Sequence, residues 1–151
     1  MRVIDAVRRS AVGVGPECTI SEAAQIMNDA GVGALAVIAE NRVVGIVTDR
    51  DLVRRALARR LPPDSRVDGV MTTEVTTVGA EADVHSVYGL FRTHGVRRLP
   101  VMRNDEFVGM ITIDDLVIDL AADLADLARP ITAEVLFSHR DSEVPATTPA
   151  S

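Results

Sequence analysis

Two seven-residue segments carry the side chains best suited to chemistry: Gly45-Ile46-Val47-Thr48-Asp49-Arg50-Asp51 and Gly109-Met110-Ile111-Thr112-Ile113-Asp114-Asp115. Both obey the pattern G-h-h-T-x-x-D, where h is apolar. A glycine at the start of a strand lets another group approach the backbone closely, or simply eases a turn. The Thr and Asp fall where a helix opens, and the unpaired N–H groups there favour an anion such as phosphate. A carboxylate beside them can accept hydrogen bonds from ribose hydroxyls, as an acidic residue does in dinucleotide-binding folds. Together these features describe a nucleotide cradle. The same T-x-x-D spacing is also a capping box, which closes a helix with no ligand at all. Retention of Gly, Thr and Asp, while the two residues between Thr and Asp change, favours the ligand. Both helices need caps, so both readings stand.

The elements that must position these residues are themselves duplicated. Residues 2–53 align without a gap on 66–117 at a constant offset of 64, with 15 of 52 positions identical and ten of those in the last 23. Thr19 and Glu22 form a capping-box pattern ahead of Ile20, Ala23, Ala24 and Met27, which predicts a short amphipathic helix ending near Gly31. Asp83 takes the cap position in the second copy, with Val84, Val87, Tyr88 and Phe91 on the matching stripe. A strand over Ala34 to Ala39, a polar turn at Glu40, Asn41 and Arg42, and a strand over Val43 to Val47 follow. The second copy gives Leu99 to Met102, a turn through Asn104 and Asp105, and Phe107 to Ile111. Each motif then opens a helix, the first running through Leu52, Val53, Ala56 and Leu57. The expected organisation is repeat 1 over 1–60, a Pro62-Pro63 linker over 61–65, repeat 2 over 66–120, and a C-terminal helix and extension over 121–140. Pro130 is expected to stop that helix, and 141–151 reads as a disordered tail.

Bulk composition excludes several classes of function. A net charge of −6, with 16 arginines and no lysine, argues against nucleic-acid binding, which normally needs a basic surface. It also removes lysine-dependent Schiff-base and Walker-type chemistry. No apolar stretch approaches the roughly 20 residues that span a bilayer, and the charges within MRVIDAVRRS argue against a signal peptide. The lone Cys18 fits a reducing compartment and reads as a small residue near a helix start. These features predict a cytoplasmic protein. His85, His94 and His139 have no metal-ligand spacing with Cys or carboxylates, so no metal site is expected. The Arg54, Arg55, Arg59 and Arg60 cluster reads first as a solvated helix face. No catalytic constellation appears, and no enzyme is expected.

With GIVTDRD at 45–51, GMITIDD at 109–115, HGVRRLPV at 94–101 and VMTTEVTTV at 70–78, the chain resembles a pair of cystathionine-β-synthase-type (CBS) domains, also called a Bateman module, over about residues 2–120. The resemblance implies an α/β (α+β) fold of two pseudo-symmetric β-α-β-β-α repeats packed sheet to sheet, with an extended C-terminal helix. It implies two clefts that take adenosine-containing ligands such as AMP, ADP, ATP, NAD or S-adenosylmethionine, with no cofactor required. Carried onto this chain, Asp51 and Asp115 hold ribose, Thr48 and Thr112 lie near phosphate, and the turns Val32, Gly33 and Ala34 or Val96, Arg97 and Arg98 frame the base. Family clefts usually mix repeats, which pairs Thr112 and Asp115 with Val32 to Ala34, and Thr48 and Asp51 with Val96 to Arg98. Gly45, Gly109 and Pro100 also match the family pattern, whereas Ala36 departs from it. Arg97 and Arg98 make the cleft with Thr48 and Asp51 the expected phosphate site. A stand-alone regulatory homodimer acting on an unidentified protein partner follows from the resemblance. The alternative is an interaction module whose clefts stay empty.

Overall fold

In the computed structural model the described residues are 1–9 and 11–141, with side chains described as far as residue 132. The elements are α1 (Val3–Ala6), β1 (Gly13–Val14), α2 (Ile20–Ala30), β2 (Ala34–Ala39), β3 (Arg42–Thr48) and α3 (Asp49–Asp51), which runs straight into a π-helix (Leu52–Leu57). A 3-10 turn (Val67–Gly69) leads to β4 (Val78–Gly79), α4 (Val84–His94), β5 (Arg98–Arg103), β6 (Glu106–Thr112) and α5 (Ile113–Asp141). The chain divides into two compact units, Met1–Asp115 and Leu116–Ser151.

In the first unit the strands form two three-stranded sheets, β1-β2-β3 and β4-β5-β6. Each has one parallel and one antiparallel pairing, and β3 contacts β6 across the two sheets. The hairpin turns hold two residues each at positive φ: Glu40 at 51° and Asn41 at 61°, then Asn104 at 50° and Asp105 at 63°. Positive φ at both central positions matches the twist of the flanking strands, and Asn and Asp tolerate it best. Bulges fall at Val37/Ile38 and Val101/Met102, again 64 residues apart. The Thr19–Glu22 capping box forms as the spacing predicts, and α2 closes on left-handed Gly31. Asp83 caps α4 by accepting from His85 N at 3.0 Å. Burial first, and Glu22 second, push the Cys18 thiol above its ordinary value, so it stays protonated.

The two repeats exchange their leading arms. Val3 N donates to Ala82 O at 2.9 Å and Ile4 N to Ala80 O at 3.0 Å, tying the first arm to the second repeat. In the mirror arrangement Val67 N donates to Cys18 O at 2.8 Å and Asp68 N to Pro16 O at 3.3 Å. Val67 and Val70 therefore complete the core of the first repeat, packed with Ile20, Met27, Leu35, Val37, Val47 and Leu52. Every one of these core residues is apolar, so no buried charge needs a partner.

Two helical details depart from expectation. The helix after β3 exists where the motif places it, but six of its residues wind as a π-helix, with Ala58 N reaching back five residues to Val53 O at 2.9 Å. Its counterpart after β6 is α-helical throughout. Pro130 does not stop α5, which runs on to Asp141. A proline removes one N–H and crowds the carbonyl four residues back. Here that carbonyl belongs to exposed Asp126, where water can satisfy it, and good helix formers such as Leu127, Ala128 and Arg129 precede the proline. In the second unit the described residues form this one helix, with Val117, Leu120, Leu124, Leu127 and Ile131 exposed. Asp141 is its last residue, and 142–151, the remainder of the expected tail, lie outside the described residues.

Candidate ligand clefts

Both T-x-x-D segments sit where a strand ends and a helix begins, and both form complete capping boxes. Thr48 Oγ1 accepts from Asp51 N at 3.0 Å while Thr48 N donates to Asp51 Oδ2, also at 3.0 Å. In the second repeat Thr112 Oγ1 accepts from Asp115 N at 3.1 Å and Thr112 N donates to Asp115 Oδ2 at 3.3 Å. Capping is thus a real role of these residues. It engages only one oxygen of each carboxylate. Asp51 Oδ1 faces Arg55 Nε at 3.9 Å, and the Asp51 side chain keeps 15% of its exposure.

The turns before the central strands are clamped to these caps. Asp49 N donates to Gly33 O and Ile113 N to Arg97 O, each at 3.0 Å. The ladders place Ala34 opposite Thr48 and Arg98 opposite Thr112. The backbone therefore joins each turn to the cap of its own repeat. The side chain of Arg98 does the reverse. A β-carbon built on Gly33 would lie 3.0 Å from Arg98 Nη2 and 3.1 Å from Asp49 Oδ2, so the second-repeat guanidinium reaches the first-repeat turn and the mouth of α3. Glycine is what leaves room for it. Arg97 instead pairs with Asp114 at 3.5 Å on the surface, a contact worth about 0–1 kcal/mol.

The motif glycines are occupied by protein. A β-carbon at Gly45 would meet Met71 Sδ at 2.5 Å, and one at Gly109 would meet Val7 Cγ1 at 2.8 Å. Something does approach both backbones closely, and it is the exchanged arm of the opposite repeat. Val7 and Met71 occupy equivalent positions, 64 residues apart.

Pro100 acts through the hydrogen bond it cannot make. In the first repeat Ala36 N donates to Val12 O at 3.4 Å. Pro100, at the equivalent position, has no N–H, which leaves the Thr76 carbonyl without that donor. Thr76 lines an open depression of about 370 Å³ with Glu74, Val75, His94 and Val96. Of these only Val96 is expected from the sequence as a ligand-site residue, while His94 is read only as lacking metal-ligand spacing. Glu74, Val75 and Thr76 lie in the 70–78 segment, but their irregular extended backbone has no periodicity that marks them, and Asp49 lies at a variable position of the motif. Ala34 is buried, while Val32 and Gly33 are half-buried. Among the described residues no cluster of His, Cys, Asp and Glu can hold a metal ion, and no helix is long and apolar enough to cross a membrane.

Comparison with known proteins follows the same duplication. The CBS domain family model matches residues 3–58 and again 67–122. YlbB of Bacillus subtilis strain 168 is 41% identical over 99 residues, covering 64% of this chain and 67% of its own. The CBS domain-containing protein YhcV of the same organism is 31% identical over 117 residues, covering 78% and 84%. Among solved structures, the CBS domain protein PAE2072 from Pyrobaculum aerophilum, complexed with AMP, matches with a TM-score of 0.71 at 29% identity, covering 81% of this chain and 99% of that one.

Proposed function

We propose, given that the chain belongs to the CBS-domain family, that it is a cytoplasmic regulatory protein that binds an adenosine-containing ligand between its repeats and thereby alters its contacts with a protein partner. The observation that carries this reading is the crossing of Arg98 from the second repeat to the Gly33 turn and Asp49, beside the Thr48–Asp51 cap. A cation held next to a helix mouth is a site for phosphate. Asp51 and Asp115 supply carboxylate oxygens for ribose. Arg97 can leave its surface pair with Asp114 at a cost of at most about 1 kcal/mol. In the second repeat the free Thr76 carbonyl and the walls formed by Val75 and Val96 suit a flat base with an amino group. The AMP bound to PAE2072 is consistent with this chemistry, and S-adenosylmethionine shares the adenosyl part. Among the described residues of either cleft no group is arranged as a nucleophile with a base, and the reading is therefore binding without catalysis. A ligand that touches both repeats favours the relative packing it binds better, and the population shifts toward it. The protein acts as a homodimer.

A thermal-shift screen tests the reading. Ligand at about 100 times its dissociation constant should add roughly 2.7 kcal/mol to stability. Arg98→Ala should remove most of the shift for phosphorylated ligands. An unchanged affinity in that variant would refute the phosphate assignment. No shift with any adenine nucleotide or S-adenosylmethionine at millimolar concentration would favour the ligand-free interaction module.

A further inference from the structure

We infer that the cleft reached by Arg98 is selective for an adenosyl ligand whose far end is zwitterionic, an amino-acid group that places its carboxylate on Arg98 and its ammonium on Asp49. The inference narrows the adenosyl reading above and rests on it. It starts from two opposite charges that share one gap. Arg98 Nη2 and Asp49 Oδ2 lie 3.0 and 3.1 Å from the point where a β-carbon on Gly33 would stand. Asp49 Oδ1 accepts from Arg50 N at 2.7 Å. Among the described residues the Arg98 guanidinium and Asp49 Oδ2 have no hydrogen-bond or ion-pair partner, and they are not paired with each other. The glycine between them is not there for its backbone, since the positive-φ glycines are Gly31 and Gly95. What Gly33 supplies is the open space between a cation and an anion.

Charge decides what fits that space best. A phosphate chain would satisfy Arg98, yet it would bring several negative charges against the Asp49 carboxylate, and like charges at close range repel. Asp51, two residues on, adds a further negative charge that Arg55 Nε offsets from 3.9 Å, so no spare cation is left for a polyanion. An uncharged end would displace water from both ions and replace none of its hydrogen bonds. A carboxylate with an ammonium on the adjoining carbon gives each ion its opposite, and a guanidinium takes a carboxylate in a bidentate fork. The pseudo-symmetric cleft carries neither ion. Ala34 stands at the position equivalent to Arg98, and Ile113 at the position equivalent to Asp49. Arg97, equivalent to Gly33, is engaged by Asp114 at 3.5 Å. The zwitterion site therefore belongs to one cleft, and the other suits an uncharged end.

Isothermal titration calorimetry of the full chain in EDTA, with S-adenosylmethionine, S-adenosylhomocysteine, ATP and adenosine, tests the assignment. S-adenosylhomocysteine has the same amino-acid end without the sulfonium charge, so it isolates the zwitterion. The unaltered protein should bind both amino-acid ligands more tightly than ATP. Asp49→Asn should weaken both by about tenfold, the loss of one charge-assisted hydrogen bond, and should tighten ATP. Its amide oxygen can still accept from Arg50 N, which keeps the local turn. Gly33→Ala should weaken the amino-acid ligands by filling the gap, and adenosine should bind all three proteins alike. If Asp49→Asn moves S-adenosylhomocysteine and ATP in the same direction, or moves neither, the zwitterion assignment is overturned while the adenosyl reading stands. Tighter binding of ATP than of the amino-acid ligands by the unaltered protein, with or without added magnesium, has the same consequence. So does a loss that adenosine shares, because the variants would then be disturbing the cleft as a whole. Failure of all four ligands to bind the unaltered protein overturns both readings.

Discussion

Gly109 shows how much one missing methyl decides. A β-carbon there would stand 2.8 Å from Val7 Cγ1, on a β-branched side chain with little freedom to retreat. Gly109→Ala should therefore cost about 1–3 kcal/mol, as overpacking does, read as a lower urea midpoint. Val7→Ala in that background should recover part of the loss, because it removes the opposing methyl. If Gly109→Ala is as stable as the parent, the arm does not hold Val7 against this strand. Thr48→Ala and Thr112→Ala each remove a cap and should cost about 1 kcal/mol. Their stability loss without ligand, measured beside the ligand-induced shift, separates the capping role from binding. The spacing G-h-h-T-x-x-D made these residues legible, because glycine, a hydroxyl and a carboxylate have few other reasons to recur together. What fills the glycine was not legible, since Val7 and Gly109 lie at opposite ends of the repeat pair in sequence.

At the scale of elements, local signals sufficed wherever local physics decides. The strand, turn and strand runs read correctly because short β-rich apolar runs and Asn/Asp turns act within a few residues, and the T-x-x-E box set the start of α2. Pro130 misled because its penalty is a single local term, of about 3 kcal/mol, that a long run of good helix formers can absorb. Pro130→Ala should restore one N–H to α5 and slow hydrogen exchange over the following turn. Unchanged exchange there would mean that the proline does not weaken the helix. The π winding of Leu52–Leu57 has no counterpart after β6, and the sequence of either helix offers no signal for the difference. The first arm has a charge signal of its own. Arg2 bonds Asp5 at 3.1 and 3.0 Å and Glu81 at 2.9 Å, and Arg103 bonds Glu81 at 3.0 Å. Hydrogen bonds from Arg103 and then Arg2 hold the Glu81 carboxyl below its ordinary value, and Arg2 does the same for Asp5. Carboxyls depressed in the folded state stabilise it above the ordinary carboxylate range. That contribution is lost as pH falls through their lowered values. Protection factors at Val3 and Ile4 should consequently fall below about pH 4, and added salt should produce a similar loss at neutral pH. Constant protection through acid would show that the arm is held by its apolar contacts alone.

At the scale of the whole unit Met1–Asp115, the exchanged arms make the two repeats one folding system. Val67 is numbered with the second repeat yet buried in the core of the first, while Val3 lies fully buried in an arm hydrogen-bonded to the second repeat. A repeat cut at residue 60 would lack Val67 and Val70 and leave Ile20, Leu35 and Leu52 partly uncovered. This is why the duplication, plain in the sequence, did not reveal how the copies depend on each other: equivalence fixes what each unit looks like, not which unit an arm joins. The same dependence would give the proposed ligand a route to both repeats, since the arm residues Met71 and Val7 sit on the motif glycines. Val67→Ala and Val3→Ala should each cost about 2 kcal/mol through the cavity they leave. Each should lower one shared urea transition with an unchanged slope. Hydrogen exchange should then show crossed effects. Val67→Ala should deprotect β2 and β3 first, and Val3→Ala should deprotect β5 and β6 first. Two separated transitions, or deprotection confined to the repeat in which each residue is numbered, would mean that the arms are not structural members of the opposite repeat and that ligand coupling must run through the sheet contact alone.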